Sequence, residues 1–594
     1  MVRAMTAMPA ATSRSAGSET RQPAFRFLLL ALLLAWGVAL FARSYWTPDE
    51  PREAALAASM LGGPLALPQL AGVTFAEKPP LSYWLSAASM RLFGNRPAAA
   101  RLPLLLYALL GVLAIGRLGR AAGSRATGHA AAAIFATALL AFQVQVWLEC
   151  DALLLCGVCV ALCGGYLGLA ARSPRQRCLW YLVLHAGLTL AFFAKNFAGW
   201  LVPVTALALF IVWQRRWREL LRWELWAGAL VPLLAIAAWV YAIAHGPQGA
   251  AALRILFWDN LVGRAVPVAA PAPYAYALAH RNAPGKYLLE LLIDLLPWSA
   301  LLLCALGRVG RSLAHRVALP GAWRFALCAS FPALLVLSLA ATARSIYAAP
   351  CIPALALLCA LWITADGATR AARLALIVSR VLIALVAAAL TLLSLELLRL
   401  RAPVPLGLCA LSALVAFGIL LALLLHWDQR DREPVAALTL QATAFALLLA
   451  LGTLAPLRVF DRSQDLLHVA RAVSLASAGA PLLLWRPDET TLAWAQLYLP
   501  PAQWRALRND QPDADSQLAQ AVRADTAVEV LVQVPAPSWK IQDWRAYLRD
   551  GSMPTPPPSA IAIAPALQAA GLTARAVIER PGGRRYLLLR RAAG

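Results

Sequence analysis

The 594-residue sequence predicts an α-helical polytopic membrane protein with a small C-terminal α/β domain. Three observations predict it. Hydrophobic residues make up 61% of the chain and mean hydropathy is +0.65, well beyond a soluble multidomain protein. The apolar residues gather into runs of about 20, the length of a helix that crosses a bilayer. Beyond residue 456 the runs shorten and charges become frequent.

Taken in order, the apolar runs give about thirteen spans: 24–42, 98–116, 127–147, 152–171, 178–195, 197–213, 224–244, 286–306, 325–342, 347–366, 376–398, 403–426 and 435–456. The formal net charge of +24 sits mainly between these runs, in arginine clusters at Arg117–Arg125, Arg172–Arg177, Arg215–Arg222, Arg308–Arg324, Arg370–Arg380 and Arg430–Arg432. With an odd number of spans and a cytoplasmic N-terminus, every one of these clusters falls on the inner side. That is the positive-inside pattern, and it excludes a nucleic-acid partner as the meaning of the charge. The C-terminal domain then lies outside. The polar, basic first 23 residues carry no cleavable pattern, so 24–42 reads as a retained span.

Ten cysteines lie mostly within apolar runs, Cys156, Cys159 and Cys163 on one helix, and are read as small apolar side chains without metal or disulfide. Lysine is confined to Lys78, Lys195, Lys286 and Lys540. Three of these sit at span mouths opposite the arginine clusters, where a compact ammonium or an interfacial anchor fits.

The first outer loop, 43–97, concentrates chemistry in a chain with only 14% charged residues. Asp49, Glu50, Arg52, Glu53, Glu77, Lys78 and, just beyond, Arg101 lie between the aromatics Tyr45, Trp46, Tyr83 and Trp84. Asp49 or Glu50 also suits the cap of a helix opening at Pro51. Glu149 and Asp151 mark a tight turn between two spans, either a solvated turn or part of a site. The second outer loop, 245–285, is proline-rich and aromatic, carries Phe257, Trp258, Asp259, Asn260 and Arg264, and reads as a lid or binding loop. Arg344 and Tyr347, at a short outer connection, either grip a phosphate head group or anchor a helix. In the domain 457–594, strands are expected at 482–484, 528–534 and 586–589, helices at 463–477 and 516–524, and a stiff loop at Met553–Ser559.

At the first loop the sequence resembles a family. Asp49-Glu50-Pro51-Arg52, then Phe75-Ala76-Glu77-Lys78-Pro79-Pro80-Leu81-Ser82-Tyr83-Trp84-Leu85, Leu92-Phe93-Gly94 and Ala100-Arg101-Leu102-Pro103 resemble the bacterial aminoarabinose transferase-like integral-membrane glycosyltransferases. These belong with the protein O-mannosyltransferases in the superfamily called GT-C. The resemblance implies a thirteen-span fold of GT-C type (1–456), a periplasmic C-terminal domain, and a bacterial inner-membrane location. It implies transfer of a sugar from a polyprenyl phosphate, usually undecaprenyl phosphate, to lipid A or another envelope glycan, by single displacement with inversion. A protein acceptor is the alternative. By the motif match Asp49 is the catalytic carboxylate and Asp151 a supporting one. Lys78, Arg264 and Arg344 are expected at the donor phosphate, and Glu50, Arg52, Glu77, Tyr83 and Tyr347 at the substrates.

Relatives of the aminoarabinose type pair the loop glutamate with a histidine of the second outer loop to hold zinc. This chain has no histidine between His245 and His280, and Glu77 alone is a poor site for a divalent metal. Two other classes remain in view. A transporter would use charges within spans, for which Asp294 and Glu396 are the candidates, and a scaffold would tolerate replacement of Asp49 and Lys78.

Overall fold

The computed structural model describes residues 21–263, 266, 282–283, 285–425, 433–509, 511, 513–525 and 527–591. Among them, ten helices are long and apolar enough to cross a membrane, or eleven if a pair bent by 65° counts as one span. The first part of the chain runs α1 (Arg21–Phe41), α2 (Asp49–Ser59), a two-residue hairpin β1–β2 (Gln69–Leu70 and Val73–Thr74), α3 (Leu81–Phe93) and α4 (Pro97–Ala122). Then come the bent pair α5 (Arg125–Thr137) and α6 (Leu139–Val146), followed by α7 (Cys150–Ala170), α8 (Pro174–Lys195) and α9 (Leu201–Trp213).

The stretch Pro174–Trp213 is largely apolar and is broken into two helices. Its backbone breaks at Asn196, where φ is +45°. Lys195, at the end of α8, meets Asp151 in the first turn of α7 at 2.6 Å. Arg216, just past α9, reaches the carbonyl of Leu169 at the opposite end of α7, 2.8 Å away. Helices Lys286–Asp294 and Ser299–Ala314, too short to pass singly, fill the position of another expected span. Against the thirteen spans the sequence predicts, ten or eleven helices among the described residues are long and apolar enough to cross.

Close packing of α7 on α8 fixes the Asp151–Lys195 contact. A Cβ on Gly157 would lie 2.6 Å from the backbone nitrogen of Ala191, and one on Gly187 would lie 2.4 Å from that of Ala161. Only glycine lets the two backbones meet so closely, and the spacing aligns the start of one helix with the end of the other.

After helix Leu454–Gln464, a five-stranded sheet forms from β3 (Leu482–Trp485), β4 (Trp504–Leu507), β5 (Glu529–Pro535), β6 (Leu572–Arg580) and β7 (Arg584–Arg591), in the order β4-β3-β5-β7-β6. β4, β3 and β5 are parallel, and β7 joins antiparallel to β5 and β6. Alternation puts Leu483, Val530, Leu587 and Leu589 into a core with helix Ala514–Ala524, and Leu482, Leu484, Leu531 and Leu588 into another with helices Leu466–Ser477 and Glu489–Tyr498. The second outer loop has structure of its own, a helix Gly249–Arg254 followed by a π-helical segment Ile255–Val262.

The sheet-bearing part is tied to the first loop. Asp461 accepts from the Ser44 amide at 2.6 Å and from the Trp46 indole at 2.9 Å. Gln496 donates to the Ala55 carbonyl at 2.8 Å and accepts from the Ala71 amide at 2.7 Å.

Candidate active site

α2 begins at Asp49 rather than Pro51. Pro48 holds the cap position, and neither acidic side chain caps the helix. Both carboxylates therefore sit in the first turn, where the helix dipole favours negative charge, and their side chains are free to bond elsewhere. Successive helical residues point about 100° apart, so the two diverge.

Glu50 points inward and is completely buried. Arg43 donates to its two oxygens at 2.5 and 2.8 Å, Arg101 at 2.6 and 3.2 Å, and the amides of Trp46 and Leu148 at 2.8 and 2.9 Å. Burial opposes the charge, but Arg101 and Arg43 outweigh it and hold the carboxyl at about 2. The expectation that Glu50 binds substrate is corrected here. Both its oxygens are consumed inside the protein, and it fastens α1, α2, α4 and the turn before α7 together.

Asp49 points the other way, toward Arg52 at 3.1 Å and Arg344 at 3.3 Å. Burial works against its charge, but Arg52, a hydrogen bond from Glu149, Arg344 and Lys78 together hold its pKa below the ordinary carboxylate range. It is a carboxylate with its counter-ions in place. Arg344 serves Asp49 directly through one of its guanidinium nitrogens. Arg52 also bonds Glu53 at 3.1 Å and Glu489 of the sheet-bearing part at 2.8 Å.

Lys78 lies 3.0 Å from Glu53, so Asp49, Arg52, Glu53 and Lys78 form one chain of charges. Burial would lower the Lys78 pKa, yet Cys150, Glu53 and Tyr83 keep it well above the ordinary value, so the group is a cation. This chain leads to a cavity of about 330 Å³. Its lining includes the polar Glu77, Lys78, Lys195, Thr342 and Tyr347 and the apolar Leu154, Leu201, Val202, Val336 and Leu337. Lys195 bonds Asp151 at 2.6 Å and sits 4.8 Å from the centre of the Tyr347 ring. The two lysines suit an anion and the apolar side chains a hydrocarbon chain.

Tyr83, expected at the substrate, is only 2% exposed, and it lines a small separate chamber rather than this cavity. Arg264 lies outside the described residues. From sequence Glu53 has no site role; Glu149 reads as a solvated turn or part of a site, and Lys195 as an ammonium or an interfacial anchor, the scarcity of lysine being its signal.

The structure also tests the fit of a metal. The side-chain amide of Asn260 donates to the backbone carbonyl of Glu77, so the second outer loop reaches the first through an amide. Among the described residues no three His, Cys, Asp or Glu side chains converge as metal ligands. Glu77 with an amide neighbour is a weak donor set for zinc, and the described residues do not fit such a site. Chelator treatment is accordingly expected to leave any sugar transfer unchanged, checked by assay before and after dialysis against EDTA with zinc re-addition.

Residues 77–241 match the family model described as dolichyl-phosphate-mannose-protein mannosyltransferase. The undecaprenyl phosphate-α-4-amino-4-deoxy-L-arabinose arabinosyl transferase of Pseudomonas paraeruginosa is 32% identical over 225 residues, covering 38% of this chain and 41% of the relative. The enzyme of the same name from Edwardsiella ictaluri is 31% identical over 228 residues, covering 37% and 40%. The chain thus matches about two fifths of the length of these relatives. The crystal structure of ArnT from Cupriavidus metallidurans bound to undecaprenyl phosphate superposes with a TM-score of 0.68 at 19% identity, over 95% of this chain and 97% of that one. The fold is shared across almost the whole chain, and the resemblance seen in the first loop is borne out.

Proposed function

We propose that the chain is an inverting glycosyltransferase that takes a sugar from a polyprenyl phosphate at the outer face of the bacterial inner membrane. The observation that carries this reading is the cavity lined by two lysines and apolar side chains, one of the lysines, Lys78, also facing the buried Asp49. The relatives' names point to undecaprenyl phosphate as the lipid carrier. In this reading the carrier's phosphate lies between Lys78 and Lys195, and its hydrocarbon runs along Leu201, Val202, Val336 and Leu337.

The acceptor hydroxyl attacks the anomeric carbon from the face opposite the phosphate. Its proton passes to Asp49 as the new glycosidic bond forms. The bond from the anomeric carbon to the phosphate oxygen breaks with its electrons on the phosphate, whose growing charge meets the two ammonium groups. Configuration at the anomeric carbon inverts. Lys195 is kept in place by Asp151, so Asp151 supports the leaving group and Asp49 the nucleophile.

The acceptor in this reading is lipid A or another envelope glycan. A protein acceptor is the second reading, favoured by the description of the family model over residues 77–241. Of the in-span charges a transporter would need, Glu396 sits near a helix end beside Arg399, 3.5 Å away.

Lys78→Ala and Lys195→Ala are each expected to slow transfer about 10²-fold or more, with the loss in the chemical step as well as in donor binding. The measurement is transfer from a purified glycosylated polyprenyl phosphate in proteoliposomes, with kcat and KM for the donor taken separately. Full activity in both variants would remove the phosphate from this cavity.

A further inference from the structure

Glu149 is buried against Asp49, and the transfer steps above make no use of it. Glu149 also lines a small chamber of about 10 Å³, together with Glu53, Ser82, Tyr83, Ser86 and Tyr107 among others. The hydroxyls of Ser82, Tyr83 and Tyr107 are buried without a hydrogen-bond partner in the protein. A space the size of one water molecule, lined by residues with unpartnered buried hydroxyls, is the setting in which a bound water is found. Among the described residues, the charges that face Glu149 are Asp49 and Glu53 from α2, Lys78 from the segment before α3, Asp151 from α7 and Arg344 from the short outer connection. Arg52 bonds Asp49, Arg344 bonds Asp49 while also facing Glu149, and Lys195 bonds Asp151. An ionised Glu149 would face three carboxylates, with Lys78 and Arg344 as cations already engaged by Glu53 and Asp49.

We propose that Glu149 is a positioning residue that works as a neutral carboxylic acid, donating its proton as a hydrogen bond to the Asp49 carboxylate while a water in the chamber bonds its second oxygen. Burial and the Asp151 charge push its pKa well above the ordinary carboxyl value, with Asp49 and Glu53 adding and Lys78 opposing. Asp49 gains a donor that fixes its carboxylate and stays ionised, while Glu149 keeps the proton. The pair divides the two protonation states between neighbouring carboxyls, so that the base toward the acceptor is always the same one. The catalytic consequence rests on the proposed role of Asp49; the protonation state of Glu149 does not.

The test is infrared titration of the purified full-length protein in lipid, joined to the pH profile of transfer. Wild type and Asp49→Asn are expected to show the carbonyl stretch of a buried protonated carboxylic acid at neutral pH, and Glu149→Gln to lack it. An identical spectrum in wild type and Glu149→Gln would mean that Glu149 is ionised, which overturns the proposal. In transfer, Glu149→Gln keeps the donor N–H and is expected within about 3-fold of wild type, with the alkaline limb of the pH profile removed. Glu149→Ala is expected to lose about 10-fold or more, with the acid limb moved up because Asp49 has lost a donor. A Gln variant as slow as the Ala variant, or an unchanged alkaline limb, contradicts the positioning role. If the infrared band behaves as described but wild type transfers no sugar, the glycosyltransferase reading fails and the neutral Glu149 stands.

Discussion

Asp49→Asn is expected to abolish transfer, about 10³-fold or more in kcat, while the protein inserts and folds like wild type. Asparagine has the same shape, and its one side-chain oxygen can still accept from either Arg52 or Arg344, which bond the two different oxygens of Asp49 at 3.1 and 3.3 Å. What it loses is the charge and the ability to take a proton. General-base assistance contributes about 10²- to 10⁴-fold, so the loss falls on kcat and leaves donor KM nearly unchanged. Turnover in proteoliposomes together with the thermal unfolding midpoint makes the measurement. A residue that merely opens a helix would give the opposite result, because asparagine is well tolerated at such positions.

Glu50→Ala, one residue along, is expected to fail in a different way. Removing this carboxylate leaves Arg43 and Arg101 buried without their counter-charge, and breaking a buried ion pair from one side costs about 3–5 kcal/mol. The expected result is loss of folded protein from the membrane, with any surviving molecules still able to transfer. Protein yield and the unfolding midpoint measure it. The pH dependence has a definite sign. The Glu50 carboxyl sits at about 2 in the folded protein, down from 4.5, so its contribution is complete above 4.5 and disappears as pH falls through about 2. Mild acidity therefore leaves this part of the fold intact. A stable, abundant Glu50→Ala variant that transfers poorly would instead return Glu50 to the substrate.

These neighbouring carboxylates also show where the sequence was legible and where it was not. The spans could be read because bilayer thickness imposes runs of about 20 apolar residues, and the first loop stood out because its charges have no place in the positive-inside pattern. The division of labour within Asp49-Glu50 could not be read, because it depends on Arg43 and Arg101 converging on one side of α2 and Arg344 on the other. Arg101 is 51 residues from Glu50 and Arg344 is 295 from Asp49. Lys195 was conspicuous as a rare lysine, but its partner emerges only once Gly157 and Gly187 let α7 and α8 pack in antiparallel contact. Glu149 and Asp151 look like a single acidic pair in sequence, two residues apart. In the structure one meets Asp49 and the other Lys195, since one precedes α7 and the other lies in its first turn. Asn260 shows a different limit. The missing histidine was visible, but the amide contact to the Glu77 backbone that links the two outer loops was not.

The most direct test of the central claim is mass spectrometry of the polyprenyl phosphate sugars and envelope glycolipids of cells carrying either the native protein or Asp49→Asn at matched membrane levels. The account predicts that one glycosylated polyprenyl phosphate accumulates in the mutant and one glycosylated envelope product disappears, which names both substrates at once. Unchanged pools of both in the mutant would contradict the assignment of Asp49 as the base and of the chain as a lipid-linked sugar transferase.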